Sequence, residues 1–269
     1  MQLHIRHETL YQYARPIGAT VQVIRLTPRP EAGQRTIRWA LATPGRRVQH
    51  LDPFGNLTHL VTLDEPRAEI RIVAQGVVES LDTDGVQPAD ENGLSPLVFL
   101  AGTRLTRVTP EIRALAATGP RAGSPAPTRT DALDLAGRIR AAVDYVPGAT
   151  EVHHDAAEAL RLGKGVCQDH THLFIASCHA RGIPARYVSG YVHTGDANMA
   201  SHAWADLWLG EEQGWFSVDI TNAQPADNRY CRLAIGRDYL DACPVRGVRR
   251  GGGDEAMSIR VYVGASADQ

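Results

Sequence analysis

Apolar and polar residues alternate through the first part of the chain. QLHIRHETLYQY (2–13) and ATVQVIRLTPR (19–29) carry the period-2 pattern of half-buried strands. TIRWALAT, THLVTLD and AEIRIVAQGVVES follow, and the turn-rich clusters RPIG, PRPEAGQ, DPFGN and DEPR separate the runs. Short strands with regular turns predict a β-sandwich-like or small-barrel domain over residues 1–95, its strands ending near residue 80.

The pattern then changes. Residues 82–95 read as loop. TPEIRALAA predicts a helix with Thr109 as cap, Pro110 in the first turn and Glu111 at the positive end of the dipole. Residues 118–131 are a Pro/Gly-rich connector. A helix follows with Leu133, Ile139 and Val143 at helical spacing, then a short one near 153–162, then one that opens at Cys167 and runs to about Arg181. Gly182 suits the position after that helix, and Pro184 prevents continuation. Strands are expected at 184–193, 201–209, 214–220, 231–237 and 256–263. Helices followed by consecutive strands predict an α+β domain with an antiparallel sheet over residues 96–269.

Composition narrows the function classes. A net charge of −2 gives no footprint for nucleic acid or an anionic membrane. No apolar run approaches membrane-spanning length, and the N-terminus shows no signal-peptide pattern, so a cytoplasmic location is expected. No phosphate-binding loop or dinucleotide fingerprint occurs, and no Cys/His set has zinc spacing, so no cofactor and no metal are expected. The four cysteines, Cys167, Cys178, Cys231 and Cys243, are expected to be reduced. Cys167 and Cys178 share a predicted helix but stand about 16 Å apart along it.

Cys167 is the candidate nucleophile. A helix N-terminus favours negative charge on a thiol and supplies amides for a developing oxyanion. Gly163 and Gly165 would let the backbone approach a substrate. In SHAWADLWL, His202, Trp204, Asp206 and Trp208 share one strand face. In GWFSVDITN, Asp219 shares a face with Trp215 and Ser217. A hairpin of these strands puts Asp219 beside His202. Direct opposition of the two requires a tight turn near Gly210 and Glu211, and a bulge would keep the facing. Asp206 lies about 13 Å further along the strand from His202. Cys167 as nucleophile, His202 as base and Asp219 as orienting acid make a triad for acyl transfer. Trp204 and Tyr187 are candidates for lining the acyl site. Asp169 is read as charge complementing the helix N-terminus, and His170, His172 and the N-terminal histidines as structural. Arg246, Arg249 and Arg250 lie in a glycine-rich stretch read as a solvated loop, or alternatively as a flexible cleft wall.

GVCQDHTHLFIASCHARGIPARYVSGYV, SHAWADLWL and GWFSVDITN resemble the bacterial transglutaminase-like proteins, often labelled cysteine proteases. IRHETLYQYARPIGATVQVIRLTPR with DPFGN resembles the β region that precedes that core, and IGRDYLDACPVRGVRRGGG resembles its C-terminal segment. The resemblance implies a papain-like, transglutaminase-like core with Cys167, His202 and Asp219 as its triad. It implies hydrolysis of a peptide or isopeptide bond, with transamidation as the alternative. A binding module on the same fold is the reading outside enzymes. It also implies an ATP-grasp ligase-like protein as partner, and hence a modified peptide as substrate. The chain departs from the family in having Ile220 where a proline is common, which predicts a looser turn after the acid, and His170 where an aromatic is common.

Overall fold

In the computed structural model of the protein, residues 1–88, 93–117, 127–195 and 201–266 are described. In chain order the elements are β1 (Gln2–Ile24), β2 (Gln34–Ala42), β3 (Arg46–Leu51), β4 (Leu57–Leu63), β5 (Arg67–Ser80), β6 (Val86–Gln87), α1 (Pro110–Leu115), α2 (Arg129–Ala142), β7 (Asp144–Tyr145), α3 (Ala156–Leu162), β8 (Lys164–Gly165), α4 (Cys167–His179), β9 (Ala185–Val192), β10 (His202–Trp208), β11 (Trp215–Asp219), β12 (Gln224–Pro225), β13 (Tyr230–Gly236), α5 (Tyr239–Ala242), β14 (Val245–Gly251) and β15 (Glu255–Ser266). A 3-10 turn spans Pro96–Leu100.

The two strands expected at 2–13 and 19–29 are one long strand, β1. RPIG does not reverse the chain; it shifts the register against β5 between Gln12 and Ile17. Pro16 has no N–H to offer the ladder there. Leu3, Ile5, His7 and Thr9 point into the core while His4 and Arg6 face out. β1 pairs with β5 and β4 on one side and with β15 and β14 on the other, giving a seven-stranded antiparallel sheet. The last strand, expected in the second domain's sheet, therefore belongs to this one. A boundary at residue 95 does not separate two sheets: residues 245–251 and 255–266 join the first, and β6 joins the second. The two also share a core, since Tyr191, Cys231 and Leu233 pack with Leu3, Ile24 and Ile72. His7 bridges them through Tyr191 Oη at 2.9 Å. β3 was not expected because all six of its residues are exposed, so it shows no alternation.

The second sheet has the order β12-β11-β10-β9-β13, all antiparallel, and α4 packs on it. Leu173, Phe174, Ile175 and Ala176 of α4 meet Tyr187, Ala203, Ala205, Leu207, Phe216 and Val218. Every α4 residue from Gln168 to Cys178 is buried, so the helix is enclosed on all sides. Local signals start the other helices. Thr109 caps α1, and Thr128 with Asp131 and Asp155 with Glu158 form capping boxes on α2 and α3. Of the connector expected at 118–131, residues 118–126 lie outside the described residues, and Arg129 to Asp131 form the first turn of α2 instead. Among the described residues no helix is long and apolar enough to cross a membrane.

Candidate active site

Cys167 is the first residue of α4, and the strand before it is fixed from outside. β8 pairs in parallel with β7, Tyr145 opposite Gly165, and the Val146 N–H donates to the Gly165 carbonyl at 2.8 Å. The N-cap, Val166, has no capping side chain. Asp169 supplies one instead: its Oδ2 accepts from the Val166 N–H at 2.8 Å and from Thr150 Oγ1 at 2.6 Å. A Cβ at Gly165 would lie 2.7 Å from the Asp169 Cβ, and Gly163 ends α3 at φ 63°. The two glycines expected to admit substrate thus serve the chain's own packing. Cys167 is partly exposed, whereas Cys178, Cys231 and Cys243 are buried. Burial pushes all three of those thiols up.

The hairpin pairs Ala205 with Val218 and Asp206 with Ser217. This sets Asp219 two positions away from direct opposition to His202, on the same face. Gly210 and Gly214, both at positive φ, frame the connecting turn, and the Leu209 N–H donates to the Gly214 carbonyl at 2.9 Å. His202 Nε2–H donates to Asp219 Oδ2 at 2.7 Å. The ring also neighbours the Cys167 thiol. Burial alone would lower the His202 pKa, but the Asp219 hydrogen bond and the neighbouring Cys167 outweigh it and raise it to about 10. Asp219 is buried, which disfavours its charge, yet His202, Tyr230 and Asn222 hold it below the usual carboxylate range. Tyr230 Oη donates to Asp219 Oδ2 at 2.6 Å and Asn222 Nδ2 to the same oxygen at 2.7 Å.

The turn after Asp219 is not loose despite Ile220. The Asn222 N–H donates to Asp219 Oδ1 at 3.1 Å. His170 Nε2–H donates to the Val143 carbonyl at 3.1 Å, so its Nδ1 accepts from the Thr221 hydroxyl at 3.0 Å. Burial lowers the His170 pKa to about 4, keeping the ring neutral in this role. His172 is likewise buried and neutral, its Nε2 accepting from the Tyr239 N–H at 3.1 Å.

Two other expectations need correction. Trp204 and Tyr187 do not line an open acyl site: Trp204 is 0% and Tyr187 2% exposed. Trp204 stacks on His202 with centroids 6.2 Å apart, and Tyr187 belongs to the core beneath α4. Tyr145 is the exposed aromatic near the thiol, at 44% exposure. Arg246, Arg249 and Arg250 lie on β14, in the sheet that does not carry His202 or Asp219; Arg249 pairs with Glu255 at 3.0 Å. Asp206 stays apart from His202, as its spacing requires. It is a buried counterion to Arg186 at 2.7 Å, and Arg232 Nη1 donates to its other oxygen at 3.0 Å. Sequence reasoning missed Tyr230 and Asn222. Asn222 had a local signal, an amide side chain three residues after a carboxylate, whereas Tyr230 arrives from another strand. Among the described residues no group of three or more His, Cys, Asp or Glu is arranged to hold a metal.

Residues 3–79 match the bacterial transglutaminase-like N-terminal region, and residues 116–220 match the transglutaminase-like superfamily. An uncharacterized protein of Mycobacterium leprae is 31% identical over 279 residues, spanning 97% of this chain and 98% of its own. One from Mycobacterium tuberculosis is 31% identical over 91% of this chain and 86% of its own length. A crystal structure of a protein assigned as a cysteine protease, from Cytophaga hutchinsonii, superposes with a TM-score of 0.77 at 21% identity, covering 100% of this chain and 92% of that one. At that identity the likeness speaks to the fold. The chain belongs to the bacterial transglutaminase-like proteins of the transglutaminase-like superfamily.

Proposed function

We propose that this protein is a cysteine-dependent amidase or peptidase that hydrolyses a peptide or isopeptide bond. One observation carries the reading: a partly exposed thiol at a helix N-terminus neighbours a histidine whose far nitrogen is held by a buried, ionised carboxylate. The proposed nucleophile is Cys167, the general base and acid His202, and the orienting group Asp219.

The Cys167 sulfur, as thiolate, attacks the amide carbonyl carbon. The carbonyl π electrons move to oxygen, and helix-start N–H groups that lack intrahelical partners can hold that oxyanion. The oxyanion collapses, the C–N bond breaks, and His202 Nδ1 gives its proton to the leaving amine. A thioester on Cys167 remains. Water then adds to the thioester while His202 takes its proton. The C–S bond breaks, the acid leaves, and the thiolate–imidazolium pair returns. An amine in place of water would give transamidation by the same residues.

The test is to incubate the protein with a cell-extract peptide pool, quench in acid and map adducts by mass spectrometry. A peptide acyl group on Cys167 is expected, absent in Cys167→Ala. With a primary amine added, the free acid should remain the main product. No adduct on Cys167 across the pool, or an adduct that survives Cys167→Ala, overturns the reading.

A further inference from the structure

We infer that Tyr230 is a positioning residue of this site, holding the Asp219 carboxylate toward His202, and that the N-terminal sheet seats it through Ser80 and Gln34. The inference rests on the triad reading above.

Asp219 Oδ2 has three donors: His202, Asn222 and Tyr230. They are not equivalent. His202 is the group to be oriented. Asn222 lies three residues away on the same turn and moves with Asp219. Tyr230 comes from β13, on the far side of the sheet order from β11, so it is the donor that can act as a fixed point. Its hydroxyl has one proton to give. Gln224 Nε2 donates to the Tyr230 oxygen at 2.9 Å, which leaves that proton for Asp219 at 2.6 Å. The ring is buried, edge-on to Trp204 with centroids 5.2 Å apart, and Trp204 stacks on His202. Burial and the Asp219 charge both push the Tyr230 hydroxyl up, so it remains a donor.

The backbone of Tyr230 is held from the other sheet. Ser80 Oγ, at the end of β5, donates to the Tyr230 carbonyl at 3.1 Å. Gln34, at the start of β2, binds the next turn of the strand at two points. Its Oε1 accepts from the Arg232 N–H, and its Nε2 donates to the Arg232 carbonyl, both at 2.9 Å. Both anchors are buried, where a hydrogen bond is not exchanged for one to water. The N-terminal sheet thus supplies no reacting group but fixes the strand that fixes the acid.

The titratable or charged groups that face Asp219 are His202 on β10, Tyr230 at the start of β13, Arg229 just before it, and His170 on α4. Of these, Tyr230→Phe removes one donor to Asp219 and the acceptor of Gln224 Nε2, and keeps the buried ring. The experiment is the pH profile of iodoacetamide alkylation at Cys167, by peptide mapping of the full chain, with circular dichroism as the check on folding. Wild-type Cys167 should react faster than the other three thiols. In Tyr230→Phe, Asp219 should protonate at higher pH, so the acid limb moves up by about one pH unit and the rate on that limb falls about tenfold, the size of one hydrogen bond to a charged group. Ser80→Ala should move the limb the same way by less. A merely structural Tyr230 would lower the melting temperature and leave the limb in place. A folded Tyr230→Phe with the wild-type limb and rate overturns the role. If Tyr230→Phe does not fold, Ser80→Ala decides, and an unmoved limb there overturns the proposal. If wild-type Cys167 reacts no faster than the buried thiols, the triad reading fails first and takes this inference with it.

Discussion

In the proposed reaction Cys167, His202 and Asp219 depend on one another in a fixed order, which ranks the effects expected from removing them. Cys167→Ala deletes the atom proposed to form the thioester and should abolish acyl-enzyme formation, with little loss of stability because the site is partly open. His202→Ala removes both thiol activation and proton delivery, so it should cost at least the roughly 10²–10⁴-fold of acid–base assistance. Asp219→Ala should cost less, because the ring remains. The measurement is acyl-enzyme formation rate with alkylation of each thiol; a Cys178 that alkylates first would remove Cys167 from the role. The raised His202 pKa also has a stability consequence. Protonation of His202 favours the fold fully below its ordinary pKa of about 6.5, and this is lost as pH rises through the folded value of about 10. Urea titrations should therefore show the stability gap between wild type and His202→Gln narrowing from neutral pH to about 10. A gap that is flat or widens would contradict the charged His202–Asp219 pair. These three residues could be read from the sequence because each sits at a position with a local rule: a helix start, and matching parities on two strands. Trp204 and Tyr187 misled because an aromatic near a site has no local feature that separates wall from core.

Helix α4 shows how an element is set by residues outside its own propensity. Its N-cap is Val166, a poor cap, so the start depends on Asp169 reaching back to the Val166 N–H and on Gly165 leaving room for that carboxylate. Gly165→Ala would place a methyl 2.8 Å from Asp169 Oδ2. It should push Asp169 off the cap, destabilise the chain by about 1–2 kcal/mol, the worth of a cap, and slow Cys167 alkylation. Thermal melts and alkylation rates check this together; an unchanged melt would mean Asp169 has room to shift. The sequence pointed to the helix and its ends through Gly182 and Pro184. It pointed to the hairpin facing but not its register, because the five-residue turn Gly210–Gly214 adds an offset of two that preserves parity. The stretch containing Arg246, Arg249 and Arg250 read as loop because its glycines and exposed arginines hide a strand with no buried alternation.

At the scale of the whole molecule, the two sheets are tied by polar groups as well as by packing. Arg232 on β13 pairs with Asp206 of the second sheet and, at 2.8 Å, with Glu31 from the segment between β1 and β2. The Glu31 pairing joins residues some two hundred positions apart, and no periodicity announces it. The same distance hid the return of β14 and β15 to β1, although the alternation of β1 itself was plain. β15 pairs with β1 from Gln2 opposite Ser266 to Tyr13 opposite Glu255, and it buries Val261 and Val263 against the shared core. A chain ending at Pro244 should lose both. Burying one valine is worth about 1.5–3 kcal/mol, so the loss is at least about 3 kcal/mol. For a chain of this size that lowers the melting temperature by about 10 °C. The truncation also turns an eleven-residue run of β1, Gln2 to Gln12, paired on both sides in the whole chain, into an open edge, which favours self-association. The measurements are a thermal melt and size-exclusion chromatography at several concentrations. A truncated chain that melts with the wild type and elutes as a single species at every concentration would show that β14 and β15 are an attachment to the N-terminal sheet rather than part of what holds it.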